Sequence, residues 1–164
     1  MNSIENTFIE KLYECNLHKQ RIEVAVSKVK AIMPLDMKIY DKLSPEQLSF
    51  IDQIIFRFAK LQDTLGDKVI SGLLILLGEE VKTKSVIDRL NRLEELQILN
   101  KDEWLMLLQC RNEAAHEYSF NKDEIVEGIN LIYQYLPQLL QIYRNIYQYC
   151  VLKFDFIQKS EVLK

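Results

Sequence analysis

The sequence predicts an all-α fold, an antiparallel bundle of four to five helices forming a single domain over residues 1–164, on the strength of three observations. Apolar residues recur three and four apart over long stretches, as the buried face of a helix requires. Only four Gly and three Pro are present, too little turn material for an all-β chain. Polar capping residues stand where one apolar pattern stops and the next begins. Strand alternation, linkers, repeats and low-complexity tracts are not seen in the sequence, and its length suits one hydrophobic core.

The elements follow in order. Phe8, Leu12, Cys15, Ile22, Val26, Val29 and Met33 outline a long first helix, interrupted at Lys19 and ended by Pro34. "SPEQ" at 44–47 starts a second: Ser44 caps, Pro45 suits the first turn and Gln47 closes a capping box. Its apolar face runs Leu48, Ile51, Ile55, Phe58, Leu61, Leu65, Val69, Leu73 and Leu76, with Gly66 and Gly72 leaving room for a bend or a close crossing. Ser85 caps a shorter helix carrying Val86, Leu90, Leu93 and Leu96. Asn100 or Asp102 opens a fourth, expected to run from Asp102 to Tyr118. Asn121 and Glu124 form a capping box for the last, through Ile125, Ile129, Ile132, Leu136, Leu139, Leu140, Tyr143 and Tyr147, with a kink expected at Pro137.

A formal charge of -3 gives no global attraction for nucleic acid or anionic lipid, so phosphate binding must come from local clusters of Lys and Arg. The longest apolar run, Val69 to Leu77, is far short of the roughly 18 to 20 residues that cross a bilayer, and no membrane association is expected. The N-terminal stretch lacks the charged-then-apolar pattern of a secretion signal, and Cys15, Cys110 and Cys150 are an odd count without metal spacing. A cytoplasmic protein with reduced thiols is expected. In the absence of a Gly-rich phosphate loop or metal-ligand box, neither cofactor nor metal is expected.

The concentration of chemistry lies in "RNEAAHEY", residues 111–118, which gathers Arg111, Asn112, His116 and Tyr118 around Ala114 and Ala115. At about 100° per residue, Arg111 and Tyr118 fall nearly in line on an ideal helix, and Arg111 and His116 about 140° apart. Histidine suits proton transfer near neutral pH, and arginine suits charge growing on phosphoryl oxygens. The pair would serve the metal-free RNA cleavage that the family resemblance given next implies, in which the 2′-OH is deprotonated, attacks phosphorus and expels a protonated 5′-oxygen. One motif supplies one histidine where the reaction benefits from a base and an acid, so a two-fold homodimer with both motifs in one cleft is expected. The blander reading makes His116 a core histidine, Arg111 a partner of Asp or Glu, and Tyr118 a packed ring.

This octet, near the end of the penultimate helix of an all-α chain, resembles the HEPN superfamily of ribonucleases, and most of all the HepT toxins of bacterial and archaeal HepT–MNT (type VII) toxin–antitoxin pairs. The family signature is an Arg, four residues, a His, one residue and a Tyr, which Arg111, His116 and Tyr118 satisfy; Asn112 stands where a polar residue is common. The motif covers eight residues, while helical order and length agree over most of the chain. "FRFAKLQDTLG", 56–66, belongs to the same likeness without a mechanism attached.

The resemblance implies a metal-independent endoribonuclease toxin acting as a homodimer on RNA, with catalytic Arg111 and His116 and a supporting Asn112. It also implies a minimal nucleotidyltransferase antitoxin (MNT) that silences the toxin by transferring AMP to Tyr118. The alternative is a non-catalytic helical adaptor, similar to the substrate-binding subunits of small nucleotidyltransferases; a plain dimerisation module is a third reading. Arg57, Lys60, Lys82 and Lys84 are candidate contacts for RNA or an acidic partner, although such clusters are commonly solvated faces, and Arg89 and Arg92 extend the basic stretch. Asp63 is placed to hold one of these cations or Arg111. His18, beside Lys19 and Arg21, is expected at the surface without a role, Cys110 is not expected to act as a nucleophile, and the tyrosines of the last helix are expected in core and dimer packing.

Overall fold

The computed structural model describes residues 1–114 and 120–164, and among them the chain is helical without strands. α1 (Ser3–Val29) begins at Asn2, whose Oδ1 accepts from the Glu5 N–H at 2.9 Å while Glu5 accepts from the Asn2 N–H at 3.0 Å. Its buried face is Phe8, Leu12, Cys15, His18, Ile22, Ala25 and Val29. The break in apolar spacing after Cys15 is therefore filled by His18, which is 6% exposed, against the expectation of a surface histidine. A 3₁₀ turn, Lys30–Ile32, leads to Pro34, where the expected stop falls.

A short α2 (Met37–Asp41) follows, capped by Asp36; barely more than one turn, it leaves no periodic signal in sequence. The loop before it is tied to the last helix by Asn130, whose Oδ1 accepts from Leu35 N–H and whose Nδ2 donates to Leu35 C=O, both at 2.8 Å.

α3 (Pro45–Thr64) starts on the Ser44–Gln47 capping box, both bonds being formed, at 3.1 and 2.9 Å. Such a cap contributes about 1 kcal/mol. Ile51, Ile54, Phe58, Leu61, Gln62 and Thr64 are buried, whereas Leu48, expected in the face, is 37% exposed. The helix passes without a break through a wide π turn, Leu65–Val69, into α4 (Ile70–Leu76). The two glycines mark close crossings: a Cβ on Gly66 would stand 3.1 Å from the Trp104 ring, and one on Gly72 2.8 Å from Phe8. α1 pairs with this segment in reversed order, His18 meeting Arg57, Glu14 meeting Thr64 and Phe8 meeting Gly72. The two are antiparallel.

α5 (Val86–Glu95) has the cap expected at Ser85, closed into a box by Asp88, and buries Leu90 and Leu93 but leaves Val86 exposed. α6 (Lys101–Glu113) is capped by Asn100 and buries Trp104, Leu107 and Cys110. α7 (Lys122–Lys153) starts at Asn121, whose Oδ1 accepts from Asp123 N–H, and continues unbroken through Pro137. Its buried residues include Ile129, Ile132, Leu136, Leu139, Leu140 and Tyr143, as the spacing requires. The Tyr143 hydroxyl lies between Leu12 C=O, at 3.2 Å, and Asn16 Oδ1 on α1, and burial holds its pKa well above the ordinary phenol value. Tyr147 stacks at a tilt on Tyr143. A four-residue α8 (Asp155–Gln158) closes the described fold. No described helix is long and apolar enough to cross a membrane.

Gly128 of α7 lies against the end of α6: an added Cβ would meet Ala114 Cα at 3.3 Å and its carbonyl oxygen at 3.6 Å. Backbone, not a flexible side chain, is in the way. Gly128→Val is expected to destabilise by about 1–3 kcal/mol through overpacking, read as a fall in melting temperature of about 3–10 °C. An unchanged melting temperature would mean that the two helices can part there at no cost.

Candidate functional site

Trp104, Leu107 and Cys110 seat one face of α6 in the core, which leaves Arg111, one residue on, at the border between core and solvent. Regular helix ends at Glu113, and Ala114 N–H closes it by donating to Cys110 C=O at 2.9 Å. The expected continuation of the helix to Tyr118 falls on residues 115–119, outside the described residues. As a cation in the last turn, Arg111 also sits favourably at the negative end of the helix.

The Arg111 guanidinium reaches α3 and binds Asp63 with both terminal nitrogens, Nη1 to Oδ1 and Nη2 to Oδ2 at 3.3 Å. Of the partners foreseen for Asp63, Arg111 is the one it takes. The side chains are 36% and 41% exposed, so the pair contributes at most about 1 kcal/mol to stability. Its consequence is positional. A two-point pair fixes the plane of the guanidinium while leaving its remaining N–H groups to donate elsewhere. Asn112 is exposed, and the expected roles of His116 and Tyr118 fall on residues 115–119, outside the described residues.

Beside the ion pair opens a cleft of about 240 Å³ between α3, the π turn, α5 and α6. Asp63 and Arg111 stand on its wall with Gln62, Gly66, Trp104 and Leu108, and Arg89 reaches it from α5. Gln62 was not foreseen as a site residue, and Arg89 was read only as part of the basic stretch before and within α5. The signal for Gln62 was a polar residue at a core position, four after Phe58 and one after Leu61.

The other predicted cations divide. Arg57 donates from Nη1 to His18 Nδ1 at 2.9 Å and lies 5.3 Å from the centre of the Phe56 ring; Lys60 Nζ lies 5.5 Å from the same ring. Phe56 is 50% exposed, so these three form a mixed aromatic and basic surface. On α3, Phe56, Lys60 and Asp63 fall within about 60° of one another, which leads this surface toward Arg111.

Lys82 and Lys84 are exposed in the loop before α5, Lys84 beside Glu79, Glu80 and Asp88. Arg89 and Arg92, which extend that basic stretch, are occupied: Arg89 donates to Ser71 Oγ and Val81 C=O, Arg92 to Glu79 and Glu95. Cys110 is buried and its thiol pushed up by burial, which agrees with a packing role.

Because arginine only donates, His18 Nδ1 must be the bare nitrogen, and the ring is neutral with its proton on Nε2, 3.7 Å from Glu14 Oε1. Burial, then the charge of Arg57 and more weakly Lys60, lowers the His18 pKa; Glu14, itself bonded to Lys11 and Thr64, opposes this. The unfolded chain takes up this proton near pH ~6.5 while the folded chain resists it, so the contribution to stability is present above that pH and is lost as the pH falls below it. Wild type should lose more melting temperature than His18→Gln between pH 7.5 and 5.5. Equal losses in thermal unfolding would show that His18 does not titrate against the fold.

No family model, curated protein or solved structure matches the chain significantly.

Proposed function

We propose that the chain is a HepT-like member of the HEPN superfamily, a toxin that cuts RNA without metal as a cytoplasmic homodimer, silenced by AMP transfer to Tyr118 from a minimal nucleotidyltransferase antitoxin. The observation that carries the reading is the order Arg111, His116, Tyr118 in the sequence, with Arg111 in the last turn of α6 held by Asp63 at the mouth of a cleft. The Phe56, Arg57 and Lys60 surface adds support, because aromatic faces beside cations suit a single strand.

In the proposed reaction, His116 of one protomer takes the proton of the 2′-OH and O2′ bonds to phosphorus. The P–O5′ bond breaks, and the second protomer's histidine protonates the leaving O5′. Arg111 stabilises the charge on the non-bridging oxygens, and Asn112 supports the phosphate or the imidazole. The products are a 2′,3′-cyclic phosphate and a 5′-hydroxyl. AMP on Tyr118 brings a phosphodiester charge beside Arg111, where the RNA phosphate would bind.

The test is cleavage of single-stranded RNA in EDTA by wild type, Arg111→Ala and His116→Ala, with dimerisation followed in parallel. Wild type is expected to leave cyclic phosphate ends, and each variant to lose at least ~10²-fold in rate while remaining dimeric. Treatment with a nucleotidyltransferase and ATP should silence wild type but not Tyr118→Phe. Cutting that needs a divalent metal, or that survives in His116→Ala, would sink the proposal.

A further inference from the structure

Gln62 is 1% exposed, and neither its Oε1 nor its Nε2 has a hydrogen-bond partner among the described residues. Buried carboxamides are almost always paired, because an unmade hydrogen bond inside a protein costs stability. This one lies on the wall of the cleft beside Arg111. A second buried donor on the same wall, Arg89 Nε, is also without a partner among the described residues, while the rest of that guanidinium is occupied by neutral oxygens.

We propose that this cleft is a base pocket, in which the Gln62 carboxamide, closed off from solvent in this structure, turns toward the cleft to read the edge of one nucleobase while the phosphate of the same nucleotide meets Arg111. The inference rests on the ribonuclease reading and names how the substrate would be seated.

The chemistry of the open groups selects the ligand class. A carboxylate or phosphate offers acceptors alone and would leave Gln62 Oε1 unpaired. A nucleobase edge sets a donor beside an acceptor, matching both amide atoms, and its flat apolar faces suit the walls supplied by Ile70, Leu90, Trp104 and Leu108. At about 240 Å³ the space lies below the roughly 300–1,000 Å³ of drug-sized sites. It fits one base rather than a run of them. Glutamine pairs with adenine through two bonds, N6–H and N7, which makes adenine the favoured base. Arg89 and Arg111 supply positive charge for the phosphate.

The test compares binding of adenosine 5′-monophosphate and ribose 5-phosphate, by calorimetry, to wild type, Gln62→Met and Leu108→Trp. Met keeps the length of Gln without its amide, and Trp at 108 fills the cleft from its half-buried rim. Wild type is expected to prefer AMP by at least about tenfold, and both variants to bind the two ligands alike. Gln62→Met should melt no lower than wild type, since it removes an unpaired buried amide. Equal binding of both ligands by wild type, or an AMP preference that persists in Gln62→Met, would overturn the proposal.

RNA cleavage by the same preparations separates the two readings. Cutting without a Gln62-dependent AMP preference leaves the ribonuclease standing and removes the base pocket. A Gln62-dependent preference without cutting does the reverse.

Discussion

The ion pair between Arg111 and Asp63 is the constraint on which the rest of the site depends. It joins the last turn of α6 to α3 just before the chain widens into its π turn, and so sets where the cleft opens. Two close approaches hold α6 for it. Trp104 presses on Gly66 on the α3 side, and Ala114 presses on Gly128 of α7. The pair adds little to stability at its exposure; the fold is held by side chains such as Trp104, Leu107 and Leu61, each worth about 1.5–3 kcal/mol when fully buried.

That division of labour bears on function. An arginine without a carboxylate partner would swing over a wide arc, and one sealed in a buried pair would have no donors to offer. Arg111 is between these limits: its plane is set by Asp63 and its exposure is partial, so under the proposed function a phosphate would share or displace a single carboxylate. Asp63 also lowers the attraction of the site for anions in general, in keeping with a chain whose net charge is -3. Positive charge is instead local, at Arg57 and Lys60 around Phe56 and at Arg89 on the cleft wall.

The parts of the fold legible in the sequence are those written locally. Ser44 with Gln47, Ser85, and Asn100 cap where expected, because a cap is a bond across three residues. The breaks at Pro34 and the close crossings at Gly66 and Gly72 were legible for the same reason. α2 and α8 were not, being too short to show a period. His18 was misread because its polar neighbours suggested solvent, whereas its place between Cys15 and Ile22 in the helical spacing puts it in the core, with Arg57 as its partner. Of the site, Asp63 was read as a partner for Arg57, Lys60 or Arg111, and Arg111 is the one it takes. Gln62 was not legible, and Arg89 was read only as part of a basic stretch, since their place beside the cleft depends on what packs around them from α5 and α6. The described part of α6 ends at Glu113, and the expected continuation through His116 to Tyr118 lies outside the described residues.

The central claim is that Arg111 is a phosphate site tuned by Asp63. The most direct measurement is the affinity of a short 2′-O-methylated RNA, which binds but is not cut, for wild type, Arg111→Ala and Asp63→Asn by fluorescence anisotropy. The account predicts binding weakened by about tenfold or more in Arg111→Ala, the loss of a charge-assisted phosphate contact, and binding equal to or tighter than wild type in Asp63→Asn. Wild-type affinity in Arg111→Ala, or a matching loss in Asp63→Asn, would contradict it and make the pair a helix clamp alone.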